Sequence, residues 1–178
     1  MSDTPTGERL TQNIILDTCI LQYFSDRYIS VGLKTYLINL IGKGFGLAIS
    51  DISVLELLQG ANASQETEGL NVLKLFNRYN LQERILVAAA QLSTLYSQDK
   101  IYNDGISMAD RIIASTVILT GSLVLTADIN DYPRPFFDEA EEKLITYRKK
   151  NKSNMIAVQL LRPDVIYINQ RFSERPKG

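Results

Sequence analysis

Residues 13–21 read NIILDTCIL. A run dominated by isoleucine and leucine is closed by an aspartate, and apolar side chains resume at once. Over 13–16 this fits a buried strand, with Asp17 at its carboxyl end and a helix following directly. Downstream, 31–41 carries Leu33, Tyr36, Leu37, Leu40 and Ile41 at helical spacing, and 46–49 is a second strand. Ser50 then offers an N-cap for a helix through Ile52, Leu55 and Leu58 that stops at Gly60. A helix is expected over 66–79, a third strand over 84–87 and another helix over 89–97. Ser107 caps a long helix that ends at Gly121, and LVLT at 123–126 is a fourth strand. Strands alternating with helices predict an α/β fold, a parallel sheet covered on both faces. Beyond Pro133 a charged helix is expected over 138–150. Extended stretches at 155–161 and 165–168 have alternating apolar positions that fit an edge hairpin. The whole chain, 1–178, reads as one domain, with a core of about 13–135 and a C-terminal extension over 136–178.

Composition narrows the chemistry. The 178 residues are 45% hydrophobic and 22% charged, with a net charge of −1, which favours a packed domain over disorder and leaves no general basic coat. Polyanion contact must then be local. The single cysteine, Cys19, cannot close an intramolecular disulfide and reads as a small buried apolar side chain in a reducing, cytoplasmic setting. No apolar run reaches membrane-spanning length, and the polar residues 1–11 lack signal-peptide order, so no membrane association is expected. The absence of histidine removes Ser-His-Asp and Cys-His catalysis, HExxH zinc hydrolysis and histidine-based ribonucleases. Carboxylates, lysines, tyrosines or a metal must carry any catalysis.

In an open parallel sheet, ligands collect beyond the carboxyl ends of the strands. Asp17 follows the first strand, Glu56 lies on the second turn of the helix after the second, and Asp128 and Asp131 follow the fourth. Connectivity alone puts Asp17, Glu56 and Asp128 at one edge, and Asp110 joins them if its helix follows a strand in the same way. Each like-charged pair at about 4 Å would cost on the order of 4 kcal/mol at an effective dielectric of about 20, so such a cluster calls for a cation. Oxygen-only ligands select Mg²⁺ or Mn²⁺, which suit phosphodiester hydrolysis. Each acid also has a structural reading. Asp17 can cap its helix, Glu56 can be a solvated helical residue, Asp110 completes a capping box with Ser107, and Asp128 and Asp131 can be turn residues.

Read together, LDTCIL at 16–21, SVLELLQG at 53–60, ISMADRIIAST at 106–116 and LVLTADINDY at 123–132 resemble, in order, the four acidic motifs of PIN-domain nucleases. The resemblance spans roughly 13–135 and is nearest to the toxin ribonucleases of VapBC-type toxin–antitoxin pairs. It implies Asp17, Glu56 and Asp110 as catalytic metal ligands, a site completed by Asp128 and Asp131, and one or two Mg²⁺ or Mn²⁺ ions. It also implies endonucleolytic cleavage of RNA, a small antitoxin protein as partner and, often in the family, a homodimer. Thr18 belongs to the first motif. Thr126 either hydrogen-bonds a carboxylate or water, or simply ends its strand. Arg111, Arg134 and the run Arg148-Lys149-Lys150 could touch phosphate, and for 148–150 a solvated charge run is the favoured alternative. A housekeeping nuclease and a non-catalytic module of the same fold are the alternatives within this resemblance.

Other readings fare worse. Gly42-Lys43-Gly44-Phe45-Gly46 precedes a strand instead of opening a helix, unlike a phosphate loop. Tyr132 and Pro133 stand where a calcium loop starting at Asp128 would need an oxygen ligand and a glycine. An aspartate phosphatase would need a second acid at position 19, which is Cys19.

Overall fold

The computed structural model describes residues 12–101 and 105–174, so the expectation for residues 1–11 lies outside the described residues. The described strands form one six-stranded sheet in the order β3 (Asn77–Tyr79), β2 (Gly46–Ser50), β1 (Asn13–Leu16), β4 (Leu123–Thr126), β6 (Lys152–Pro163) and β5 (Phe137–Lys149). Strand β1 (Asn13–Leu16) is central, with β2 (Gly46–Ser50) on one side and β4 (Leu123–Thr126) on the other, both parallel to it. Ile14, Ile15 and Leu16 are fully buried. Ile14 and Leu16 enter one core cluster and Ile15 the other, as period-two side-chain alternation requires of a strand covered on both faces.

The helices follow local signals. Helix α1 (Thr18–Tyr23) starts at Asp17, and α2 (Ser30–Gly42) buries Leu33, Tyr36, Leu37 and Leu40. Helix α3 (Asp51–Leu58) follows β2 directly. Helix α6 (Met108–Thr120) begins at a Ser107–Asp110 capping box and ends at Gly121, whose φ of 65° is the left-handed cap that glycine adopts most easily. The α/β architecture, with a mostly parallel sheet, flanking helices and an edge hairpin, is as expected, and a C-terminal helix is present, further along the chain than the one expected over 138–150.

Several segments differ from the sequence reading. The helix expected over 66–79 is α4 (Ala63–Leu73), started early by a capping box between Asn62 and Gln65. Its second half is instead β3 (Asn77–Tyr79), paired in parallel with β2. The third strand is therefore not 84–87. Those residues lie in α5 (Glu83–Gln98), which buries Ile85, Ala89, Leu92, Leu95 and Tyr96 at helical spacing and leaves Leu86 and Val87 half exposed. The charged helix expected over 138–150 is strand β5 (Phe137–Lys149), and β6 (Lys152–Pro163) pairs with it antiparallel along its whole length. The second stretch read as extended, 165–168, lies in helix α7 (Val165–Ser173). Strand β6 also pairs antiparallel with β4, Thr126 opposite Gln159, so the hairpin completes the sheet.

Candidate active site at the carboxyl edge of the sheet

Asp17 leaves the end of β1 almost wholly buried, at 3% exposure. Its Oδ1 accepts from the Thr18 amide at 2.6 Å, and its Oδ2 accepts from the Thr126 hydroxyl at 2.6 Å and the Cys19 thiol at 3.4 Å. Burial pushes the Asp17 carboxyl above its ordinary range, Asp110 adds to this, and the hydrogen bonds from Thr126, Cys19 and Thr18 oppose it. Thr126, fully buried at the end of β4, also accepts from the Asp128 amide at 3.0 Å. Its hydroxyl therefore joins Asp17 to the loop after β4, and of its two readings the carboxylate-binding one is realised.

Glu56 sits on α3 and accepts from the Thr18 hydroxyl through Oε2 at 2.5 Å. Burial raises its pKa, the bond from Thr18 opposes the rise, and Asp110 and Asp17 add to it. Asp110 realises the capping reading in full. Its Oδ2 accepts from the Ser107 amide at 2.9 Å, while its own amide donates to Ser107 Oγ at 3.1 Å. The cap does not remove it from the cluster, because its charge acts on Asp17, Glu56 and Asp131 alike. Helix α6 follows α5 and not a strand, so connectivity could not have placed Asp110 there; the packing of α6 against α3 does.

Asp128 caps the 3-10 turn Ile129–Asp131 by accepting from the Asn130 amide at 3.1 Å through Oδ1, which the Asn130 side chain also reaches at 2.9 Å. Asp131 shows the largest electrostatic effect in the cluster. Burial first, and then the charges of Asp110, Asp128, Asp17 and Glu56, push its carboxyl up to about 7. Tyr132 holds this turn in place, buried and packed edge-on against Phe137 at 5.4 Å between ring centres.

The five predicted acids thus share one electrostatic environment at one edge. Among the described residues no three of them converge closely enough to grip an ion as they stand. The donor chemistry nonetheless fits a hard divalent cation. The set is all oxygen, neighbouring negative charge adds to the raised pKa of Asp17, Glu56 and Asp131, and Glu56, Asp110 and Asp128 each keep one carboxylate oxygen without a hydrogen-bond partner among the described residues.

The two predicted phosphate contacts differ. Arg111 turns inward, donating to the Ile106 carbonyl at 2.8 Å, and so fastens the start of α6. Arg134 is exposed beside a groove lined by Ile129, Asn130 and Glu139. Cys19 departs from the buried apolar role expected of it. It is only partly buried, and its sulfur accepts from the Ala127 amide at 3.3 Å as well as donating to Asp17. Burial and the Asp17 charge push its thiol up to about 12, so it stays a protonated donor. Its place two residues after Asp17, in the first turn of α1, was the available signal.

The PIN domain family model matches residues 14–134, and no curated protein gives a match. Solved structures are similar over about two thirds of the chain. One is VapBC2 from Rickettsia felis bound to a DNA fragment from their promoter, with 23% identity, 68% of this chain and 91% of that chain covered, and a TM-score of 0.57. A toxin–antitoxin complex from Klebsiella pneumoniae matches at 25% identity, 68% and 92% coverage and a TM-score of 0.52. DNA-bound VapBC from Salmonella typhimurium matches at 18% identity, 70% and 92% coverage and a TM-score of 0.54. With four acidic motifs on one sheet edge and a family match covering more than half of its length, the chain belongs to the PIN domain family.

Proposed function

We propose that this protein is a divalent-cation-dependent endoribonuclease and the toxin of a toxin–antitoxin pair. The observation that carries the reading is the gathering of Asp17, Glu56, Asp110, Asp128 and Asp131 at the carboxyl edge of the sheet, where the charge of Asp110 adds to the raised carboxyls of Asp17, Glu56 and Asp131. Asp17, Glu56 and Asp110 would hold the cation, with Asp128 and Asp131 completing the site. Mg²⁺ or Mn²⁺, when bound there, supplies the charge that activates water and steadies the phosphate oxygens. Thr126 and Thr18 orient Asp17 and Glu56, and by donating to them favour the ionised forms that a cation needs. Asp131 is the acid of the cluster able to carry a proton near neutral pH.

An antitoxin partner is supported by the complexes to which the fold is similar. A housekeeping nuclease is the second reading, favoured by the β5–β6 hairpin and α7, which lie beyond the matched residues 14–134. The purified protein should cleave RNA in Mg²⁺ or Mn²⁺ and stop in a chelator. Expression alone should arrest bacterial growth, with rescue by a small protein encoded beside it. Normal growth with abundant, RNA-cleaving protein would support the housekeeping reading instead. An absence of metal-dependent RNA cleavage would overturn both.

A further inference from the structure

The hairpin divides its charge along its length. The start of β5 is acidic, with Asp138, Glu139, Glu141 and Glu142, and from there to Asp164 no acid occurs. That acid-free stretch holds Lys143, Arg148, Lys149, Lys150, Lys152 and Arg162 in a chain whose overall charge is −1. Four of these cations crowd the turn, all of them exposed, and among the described residues none of the four is in a salt bridge. Lysines scattered along a sheet edge commonly serve to block aggregation, but here the edge itself is acidic where it pairs beside the sheet and the cations gather at the tip.

Register fixes where the tip lies. Gln159 pairs with Thr126 at the carboxyl end of β4, and β6 runs antiparallel from there back to Lys152. At about 3.4 Å per residue, the tip extends roughly 24 Å past the end of β4, on the edge that carries the acids. The extension is anchored. Ile145 is buried on the α1–α2 side of the sheet, with Tyr147 and Ile156 packed against the same cluster. Lys149 Nζ lies 5.6 Å from the centre of the Tyr28 ring, and the Arg27 guanidinium lies 4.6 Å from the same centre. Tyr23 and Tyr147 pack against the same core cluster as Cys19 and Ala127, which lie beside Asp17 and Asp128. A basic, partly aromatic surface therefore borders the carboxylate cluster.

We propose that the β5–β6 tip, Arg148, Lys149, Lys150 and Lys152 beside Arg27 and Tyr28, is a docking arm for the phosphate backbone of RNA. The inference rests on the nuclease reading for its substrate, but it concerns binding and not cleavage. The cations attract the backbone without reading sequence, Tyr28 holds Arg27 and Lys149 together against its ring, and the acidic edge alone would repel the same polymer. The arm offsets that repulsion and sets the direction from which the strand reaches the acids.

The test is fluorescence-anisotropy binding of a labelled single-stranded RNA to the full chain in chelator, where metal-dependent cleavage is off, across a salt series. The quadruple variant Arg148→Gln, Lys149→Gln, Lys150→Gln and Lys152→Gln should bind at least tenfold more weakly. Its slope of log affinity against log salt should be shallower by about 2 to 3, at roughly 0.7 for each phosphate that is no longer neutralised. Lys74→Gln, at the end of α4 just before β3 and so at the opposite edge of the sheet, should change neither quantity. Unchanged melting of the quadruple variant checks the fold. Affinity and slope equal to those of the unaltered protein would overturn the arm, as would an unaltered protein that binds no RNA at low salt, or tip-dependent binding of a DNA strand alone. RNA cleavage in Mg²⁺ is read separately. Tip-dependent binding without cleavage sinks the nuclease reading and leaves the arm, whereas cleavage and binding indifferent to the tip do the reverse.

Discussion

The Thr126 hydroxyl donates to Asp17 Oδ2 at 2.6 Å, joining the ends of two adjacent parallel strands through a buried carboxylate. This bond favours the ionised form of an acid that burial otherwise pushes toward the neutral one. Thr126→Val keeps the shape and removes the donor. It should cost about 1–3 kcal/mol, since a buried charge loses a partner. Without the bond the Asp17 pKa rises further, so the acid limb of cleavage should move to higher pH. The stability deficit should be largest near neutrality and shrink as the pH falls and Asp17 protonates. Thr126→Ser should restore both, and a Val variant with an unmoved pH profile would show that the hydroxyl is only structural.

Asp131 should make the fold less stable as the pH rises. Its carboxyl titrates at about 7 in the folded protein and near its ordinary value of 3.8 when unfolded, so the folded state holds the proton more tightly. The stabilisation is complete below about pH 4 and is lost as the pH climbs through 7. Asp131→Asn should therefore gain on the order of 1 kcal/mol at pH 8, after allowance for solvent screening, and nothing at pH 4. Urea denaturation at the two pH values reads the difference. An equal effect at both would contradict the electrostatic account of this residue.

Gly32 and Ile145 hold the hairpin against α2. A Cβ at Gly32 would stand 2.6 Å from Ile145 Cγ2, a branch that cannot rotate freely out of the way. Gly32→Ala, which would ordinarily stabilise a helix interior by about 1 kcal/mol, should here cost about 1–3 kcal/mol. In an Ile145→Ala background the same change should be neutral or favourable, and this double-mutant cycle isolates the contact. Additive effects would mean that the hairpin does not pack where it is described.

Divalent cations should stabilise the protein. A cation that binds the folded cluster and not the unfolded chain raises stability by mass action, and here it also relieves carboxylate repulsion. A melting temperature that rises with millimolar Mg²⁺ or Mn²⁺, and does so less in Asp17→Asn, is the expected result. One that ignores both ions would mean that these acids do not form a cation site.

Legibility in the sequence followed the strength of local signals. β1, β2, β4 and the start and stop of α6 were readable because short runs rich in isoleucine, leucine and valine end at Asp17, Ser50 and Thr126, and because Ser107 and Gly121 mark the two ends of α6. The hairpin was not. The opening of β5, DEAEEKL, is rich in good helix formers, and only the ladder to β6 overrides that preference. Its turn also lacks an Asn-Gly signal, because Lys150 and Asn151 themselves adopt the positive φ values of 49° and 59°. The acids at strand ends could be placed by connectivity. Asp110 needed the packing of α6, and the polar role of Cys19 needed the fold of the β4 loop.

Cleavage of RNA by Asp17→Asn and Asp110→Asn tests the central claim most directly. Asparagine preserves the size of each side chain and, at position 110, keeps an oxygen to accept from the Ser107 amide, so the helix start should survive. Both variants should fold as the unaltered protein does and lose about 10²-fold or more in Mg²⁺-dependent cleavage. Asp138→Asn, exposed on β5 and outside the cluster, should cleave normally. Near-normal cleavage by both Asp17→Asn and Asp110→Asn, in protein free of contaminating nuclease, would contradict a carboxylate-held cation as the source of activity.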